Sequence, residues 1–114
     1  MTALAGSTIR TATRDDLPAI ERLLAAQPTA RRQTAQSLAS PQPGHHLLVL
    51  DGPNGGLAAC ALLALEGDRG HLMLLAIARP FEGTGLEDRM IGVIEAMCAA
   101  FGAHTLEVVR HRAA

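Results

Sequence analysis

Lysine, tryptophan and tyrosine are all absent from these 114 residues. Without lysine there is no Schiff-base chemistry and no amine nucleophile in the chain. All ten basic side chains are therefore arginine, and the net charge is −1. Phe81 and Phe101 are the only aromatics. A nucleic-acid partner needs a basic face and rings to stack on. Neither is present, so that class is excluded. Long apolar runs are missing too. The longest, Leu57 to Leu65, falls far short of the roughly 20 residues that span a bilayer. Nothing at the start combines a basic segment with an apolar core, so neither a signal peptide nor a membrane association is expected. Cysteine is scarce. Cys60 and Cys98 both sit in apolar runs and read as reduced core thiols, in keeping with a cytoplasmic protein.

What is present is a chain with 48% hydrophobic residues, mostly Ala and Leu, enough to bury one core as a single domain. Ser7 to Ala12 reads as a short strand with Ile9 inward. Thr13 to Asp16 supplies caps and first-turn acids, and Leu17, Ile20, Leu23 and Leu24 give a helical face running to about Gln27. Pro28 breaks that helix. A weaker one, Thr29 to Ala39, carries Arg31 and Arg32, which either meet an anionic ligand or form a solvated face. After Ser40 to Gly44 come three apolar strands, His45–Asp51, Leu57–Glu66 and His71–Ala78, separated by turns at Gly52–Gly56 and Gly67–Gly70. Their runs are apolar on both faces, which predicts helices on both sides of the sheet.

The stretch from Leu72 to Phe101 organises the rest. A strand ends near Ala78, a turn carries Gly83 and Gly85, and Leu86, Met90, Val93, Ile94, Met97 and Phe101 form one apolar stripe at helical spacing. Thr84 with Glu87 reads as a capping box, and Gly102 as the helix stop. A strand, a glycine turn and a helix start form the framework of an anion site, because free N–H groups and the helix dipole converge there. A last strand, Thr105 to Val109, completes the order β-α-α-β-β-β-α-β, an α/β mixed sheet.

The segment Leu75-Ala76-Ile77-Ala78-Arg79-Pro80-Phe81-Glu82-Gly83-Thr84-Gly85-Leu86-Glu87 resembles the acetyl-CoA motif of the GCN5-related N-acetyltransferases (the GNAT superfamily). That motif is Leu-Ala-Val, a short linker, then Arg/Gln-x-x-Gly-x-Gly/Ala. Leu75, Ala76 and Ile77 match the strand end, and Phe81 the aromatic before the loop. Gly83 and Gly85 match two loop glycines. Glu82 stands where the family has Arg or Gln, and Glu87 where it has Gly or Ala. The opening Thr8 to Ile20 is similar to the family's start, so the resemblance spans nearly the whole chain.

The resemblance implies an acyl-CoA N-acyltransferase fold, truncated after the last strand and lacking the usual C-terminal helix and strands. It implies acetyl-CoA held by Leu75, Ala76, Ile77, Glu82, Gly83, Thr84, Gly85, Leu86 and Glu87, and transfer of acetyl to an amine acceptor. It also implies a general base on the third strand of the meander, where His71 stands; a solvated strand-end histidine is the other reading. The family's acid tyrosine has no counterpart. Two other functions stay open: a non-catalytic ligand-binding or regulatory module of the same fold, and a ferredoxin-like small-molecule binding domain with one strand inserted. His45 and His46, adjacent on a strand, point to opposite faces, which argues against a shared metal. With its last strand left as an open edge, the chain is expected to form a homodimer.

Overall fold

The structure, a computed structural model, describes residues 9–53 and 56–108. Among them five strands form one sheet in the order β1-β2-β3-β4-β5. These are β1 (Ile9–Thr11), β2 (His45–Asp51), β3 (Leu57–Glu66), β4 (Arg69–Ile77) and β5 (Thr105–Val108). The first four pair antiparallel in succession, and β5 lies parallel to β4. A parallel neighbour requires a crossover, which is helix α3 (Leu86–Ala100). Helices α1 (Leu17–Leu23) and α2 (Pro28–Ala39) cover the opposite face. Leu48, Leu50, Leu63 and Leu72 meet Leu86, Met90, Ile94 and Cys98 of α3 in one core. Leu47, Val49, Leu62 and Leu74 meet Ile20, Leu24 and Ala30 in the other. The two-sided burial expected from the apolar runs is therefore observed, and both cysteines are core residues. Burial pushes the Cys60 thiol up to about 12 and also raises that of Cys98.

Several boundaries differ from the pattern reading. The first strand is Ile9–Thr11; Ser7 and Thr8 of that expectation, and Val109 of the last strand, lie outside the described residues. A 3-10 turn, Arg14–Asp16, precedes α1. There the Asp16 carboxylate accepts from the Thr13 N–H at 2.7 Å and its hydroxyl at 3.3 Å. Helix α1 ends at Leu23, short of Gln27. Leu24 must stay in the core while the chain reverses, and a turn closed by the Gln27 N–H on the Leu24 carbonyl does this. Pro28 lies beyond the end of α1 rather than breaking it, and opens the next helix at its first position, where a missing N–H costs nothing. The hairpin into β4 is tighter than expected: Glu66 faces Arg69 across only Gly67 and Asp68. Gly67 supplies the positive φ (+59°) that such a two-residue turn requires at its first position.

The α3 stripe is narrower than its sequence suggests. Val93 is 46% exposed and Phe101 62%. The buried line is Leu86, Met90, Ile94 and Cys98, a strict four-residue repeat against a flat sheet. Phe101 follows the last helical residue, before Gly102 at φ +83°, and stacks on His46 with ring centroids 5.7 Å apart.

Candidate functional site

Strand β4 carries the site, and its decisive feature is one extra residue. Leu62 faces Leu74 while Leu63 faces Leu72, so Met73 is a bulge with no partner of its own on β3. Two consecutive side chains then share a face. Leu72 packs against α3, whereas both Met73 and Leu74 join the α1/α2 core. Beyond the bulge, Leu75 and Ile77 face α3 and Ala76 faces α1 and α2. Of the predicted motif residues, these three therefore line the two sides of the strand end. The bulge sits two residues before Leu75.

Pairing with β5 covers only Arg69–Leu72. Among the described residues, the stretch from Met73 to Ile77 thus has a neighbour on the β3 side alone. In the paired part, His71 lies opposite Glu107, and its Nδ1 is 3.1 Å from a Glu107 carboxylate oxygen. His71 remains 34% exposed, on the same face as Met73. On that face a cleft of about 160 Å³ opens beside the bulge, lined by Met73, Leu62 and His45 with Gln33, Gln36, Ser37, Ser40 and Gln42. His45 thus faces α2 while His46 stacks on Phe101 at the end of α3, so the two do point to opposite faces.

At the other end of β4, a short 3-10 helix (Arg79–Phe81) leads into the turn Glu82–Gly85. Gly83 and Gly85 have φ of +74° and +84°, in open space, and all four turn residues are exposed. The predicted capping box does not form. Gly85, in the left-handed region, is the N-cap, and no side chain caps α3 among the described residues. The Thr84 hydroxyl instead donates to the carbonyl of Phe81. The reason is register: with Leu86 in the core, Glu87 falls at the second helical position and cannot reach back as a third-position acid does. Glu87 is exposed, and Leu86 is a core residue rather than part of an open wall. A helix start without a side-chain cap keeps its dipole and N–H groups available to an anion.

Sequence reasoning missed the bulge at Met73, since a slip is invisible in a strand apolar on both faces. It also missed Glu107 as the partner of His71, because that contact depends on parallel register. The helical repeat of Gln33 and Ser37 was the only available signal for the cleft. Arg31 and Arg32 are not gathered at the turn. Arg31 is half-buried on α2, where its carbonyl accepts from the Thr34 hydroxyl, and its Nε finds no hydrogen-bond partner among the described residues.

No family model and no curated protein sequence matches the chain. Solved structures do. One is a transcriptional regulator from Bacillus halodurans C-125, at 14% identity and a TM-score of 0.75, covering 93% of this chain and 83% of that one. Another is the glucosamine-6-phosphate N-acetyltransferase of Arabidopsis thaliana, at 16% identity and a TM-score of 0.71, covering 92% of this chain and 82% of that one. A third is the ribosomal-protein-S18-alanine N-acetyltransferase of Escherichia coli, at 23% identity and a TM-score of 0.74, covering 91% of this chain and 67% of that one. At these identities the likeness is one of fold. It agrees with a four-strand antiparallel meander closed by a parallel fifth strand, and excludes the ferredoxin-like alternative. The chain has the fold of the GCN5-related N-acetyltransferases.

Proposed function

We propose that this protein is an N-acetyltransferase that takes acetyl-CoA along the open side of β4 and passes the acetyl group to a small amine. The observation that carries the reading is the pairing of a bulge at Met73 with an uncapped glycine turn at the far end of the same strand. Five residue steps of extended chain lead from Met73 to Ala78, about 17 Å at the rise of a strand. That is the reach of an extended pantetheine arm. Backbone N–H groups at Gly83 and Gly85 suit a diphosphate, since neither glycine carries a side chain to obstruct it. The fit is opposed by Glu82, Glu87 and Asp88, all exposed around the turn, so binding is expected to be weaker than an arginine-bearing turn would give.

For proton transfer, the reading assigns His71 as the general base. Glu107 at its Nδ1 orients the ring and leaves Nε2 to take the proton that the attacking amine loses. The polar cleft lined by Gln33, Gln36, Ser37 and His45 is the matching place for the amine. A second reading, a ligand-binding module without turnover, is favoured by the two acids standing where the family motif has Arg or Gln and Gly or Ala.

Thermal unfolding with acetyl-CoA tests the binding that both readings share, because stabilisation grows with ligand concentration over Kd, and turnover then separates them. Acetyl-CoA is expected to raise the melting temperature, and Glu82→Arg with Glu87→Gly to tighten binding about tenfold or more. Amine acetylation above the uncatalysed rate, lost in His71→Ala with binding intact, would support turnover. Binding without turnover would support the module. Absence of any acetyl-CoA effect, in the parent and in the double variant, would defeat both.

A further inference from the structure

The end of β4 has a second side. A groove of about 460 Å³ runs between the end of α1, the start of β3 and the end of β4. Its walls are apolar and small, with Ala26, Ala78, Leu23 and Leu57 among them, and its cations are Arg22 and Arg79. Among the described residues no acidic side chain lines it. Both arginines are exposed, and among the described residues neither has an ion-pair partner. Arg10 shows the contrast, held by two carboxylates in the same protein.

We infer that this groove, rather than the glycine turn alone, receives the phosphates of a bound nucleotide, with Arg22 and Arg79 as their ligands. A diphosphate arriving at the end of β4 would find Glu82, Glu87 and Asp88 around the glycine turn and, in the groove, two guanidinium groups with no ion-pair partner among the described residues. Guanidinium forks match phosphate oxygens in pairs. Flat walls of alanine and leucine suit the face of a base or ribose, and the volume lies in the range of small-ligand sites. Arg79 opens the short helix between β4 and the turn, so it stands between the two sides and can serve a phosphate that bridges them. The inference rests on the proposed function for the identity of the nucleotide as that of CoA, but not for the chemistry of the groove.

The test is titration calorimetry with adenosine 3′,5′-bisphosphate, ADP, adenosine, CoA and pantetheine, on the parent and on Arg22→Gln and Arg79→Gln. Both substitutions lie on exposed side chains and should leave the unfolding midpoint unchanged. The expected result is that phosphorylated ligands bind and adenosine and pantetheine do not. Each substitution should weaken binding about tenfold, and added salt should weaken it further. Arg22→Lys should restore only part of the loss. If CoA binds equally well to parent and both Gln variants, the groove is not the phosphate site, although the proposed function stands. Arginine-dependent binding of adenosine bisphosphate and ADP, with no preference for CoA or acetyl-CoA, keeps the groove but removes the proposed function. Adenosine binding as tightly as its phosphates, or no nucleotide binding at all, overturns the inference.

Discussion

The two ends of β4 are built from opposite materials. At its start the strand is paired on both sides, glycine is packed, and a histidine faces a carboxylate. At its end the described pairing is one-sided, the glycines stand in open space, and two arginines have no ion-pair partner among the described residues. The closed end resists change because every position is specified by neighbours. The open end tolerates change because little packs against it, the condition for binding something else. Met73 divides the two, and it turns the side chains beyond it by one position.

Deleting Met73 is the most direct way to break this contrast. Without the extra residue Leu74 follows Leu72 directly, the alternation becomes regular, and Leu75, Ala76 and Ile77 keep the faces they have now. The variant should therefore still unfold cooperatively in urea, but with the bulge removed from the cleft acetyl-CoA should no longer raise its melting temperature. An undiminished acetyl-CoA effect would show that the bulge does not shape the site.

Glycine substitutions should divide along the same line. A Cβ at Gly70 would lie 2.9 Å from the Cys98 sulfur and 3.3 Å from Leu106, so Gly70→Ala should cost about 1–3 kcal/mol by overpacking. At Gly83 nothing lies within 4 Å, and only the left-handed φ opposes a side chain, so Gly83→Ala should cost about 1 kcal/mol. Denaturant midpoints measured side by side check the order, and equal losses would erase the distinction between the ends.

Arg10 provides the reference for a cation that is held. Its guanidinium donates to Asp16 at 2.8 and 2.9 Å and to Asp51 at 2.8 and 2.9 Å, tying β1 to the turn before α1 and to β2. These bonds hold the Asp16 carboxyl down at about 2, below its ordinary 3.8, and lower that of Asp51 as well. A depressed folded value means that the stabilisation is fully present above about pH 4 and fades as the pH falls toward 2. Asp16→Asn should therefore cost about 1 kcal/mol at pH 7, a modest figure because Arg10 is partly solvated. The difference between parent and variant should shrink as pH falls from 4 to 2. A constant difference across that range would assign the loss to packing rather than charge.

The smallest effect is expected at the sheet edge. We propose that β5, which ends the described sheet with Leu106 and Val108 half-buried, pairs with a second copy of the chain. Light scattering at micromolar concentration should then give a dimer, and Val108→Asp should shift it toward monomer with little change in the unfolding of β1 to β4. A monomeric parent, or a dimer indifferent to the substitution, would end the idea.

Local chemistry along the chain determines much of this protein. The spans His45–Asp51 and Leu57–Glu66 are readable to the residue, because short continuous apolar runs between glycine- and proline-rich turns leave the chain few alternatives. The glycine turn and the helix after it were legible for the same reason, as was the two-sided sheet. The tertiary structure decided what depends on register between distant segments. Met73 is one of several apolar residues until β3 is laid beside it, and His71 gains Glu107 only when β4 and β5 align in parallel. Helical spacing assigned Val93 and Phe101 to the core, but a flat sheet accepts a narrower stripe. The spacing of Thr84 and Glu87 predicts a capping box, but the burial of Leu86 sets the helix start one residue later. Arg22 and Arg79 lie far apart in the chain, and only the fold brings them to one groove. Spacing along a sequence encodes the face of an element; which faces meet is settled by the packing of the whole.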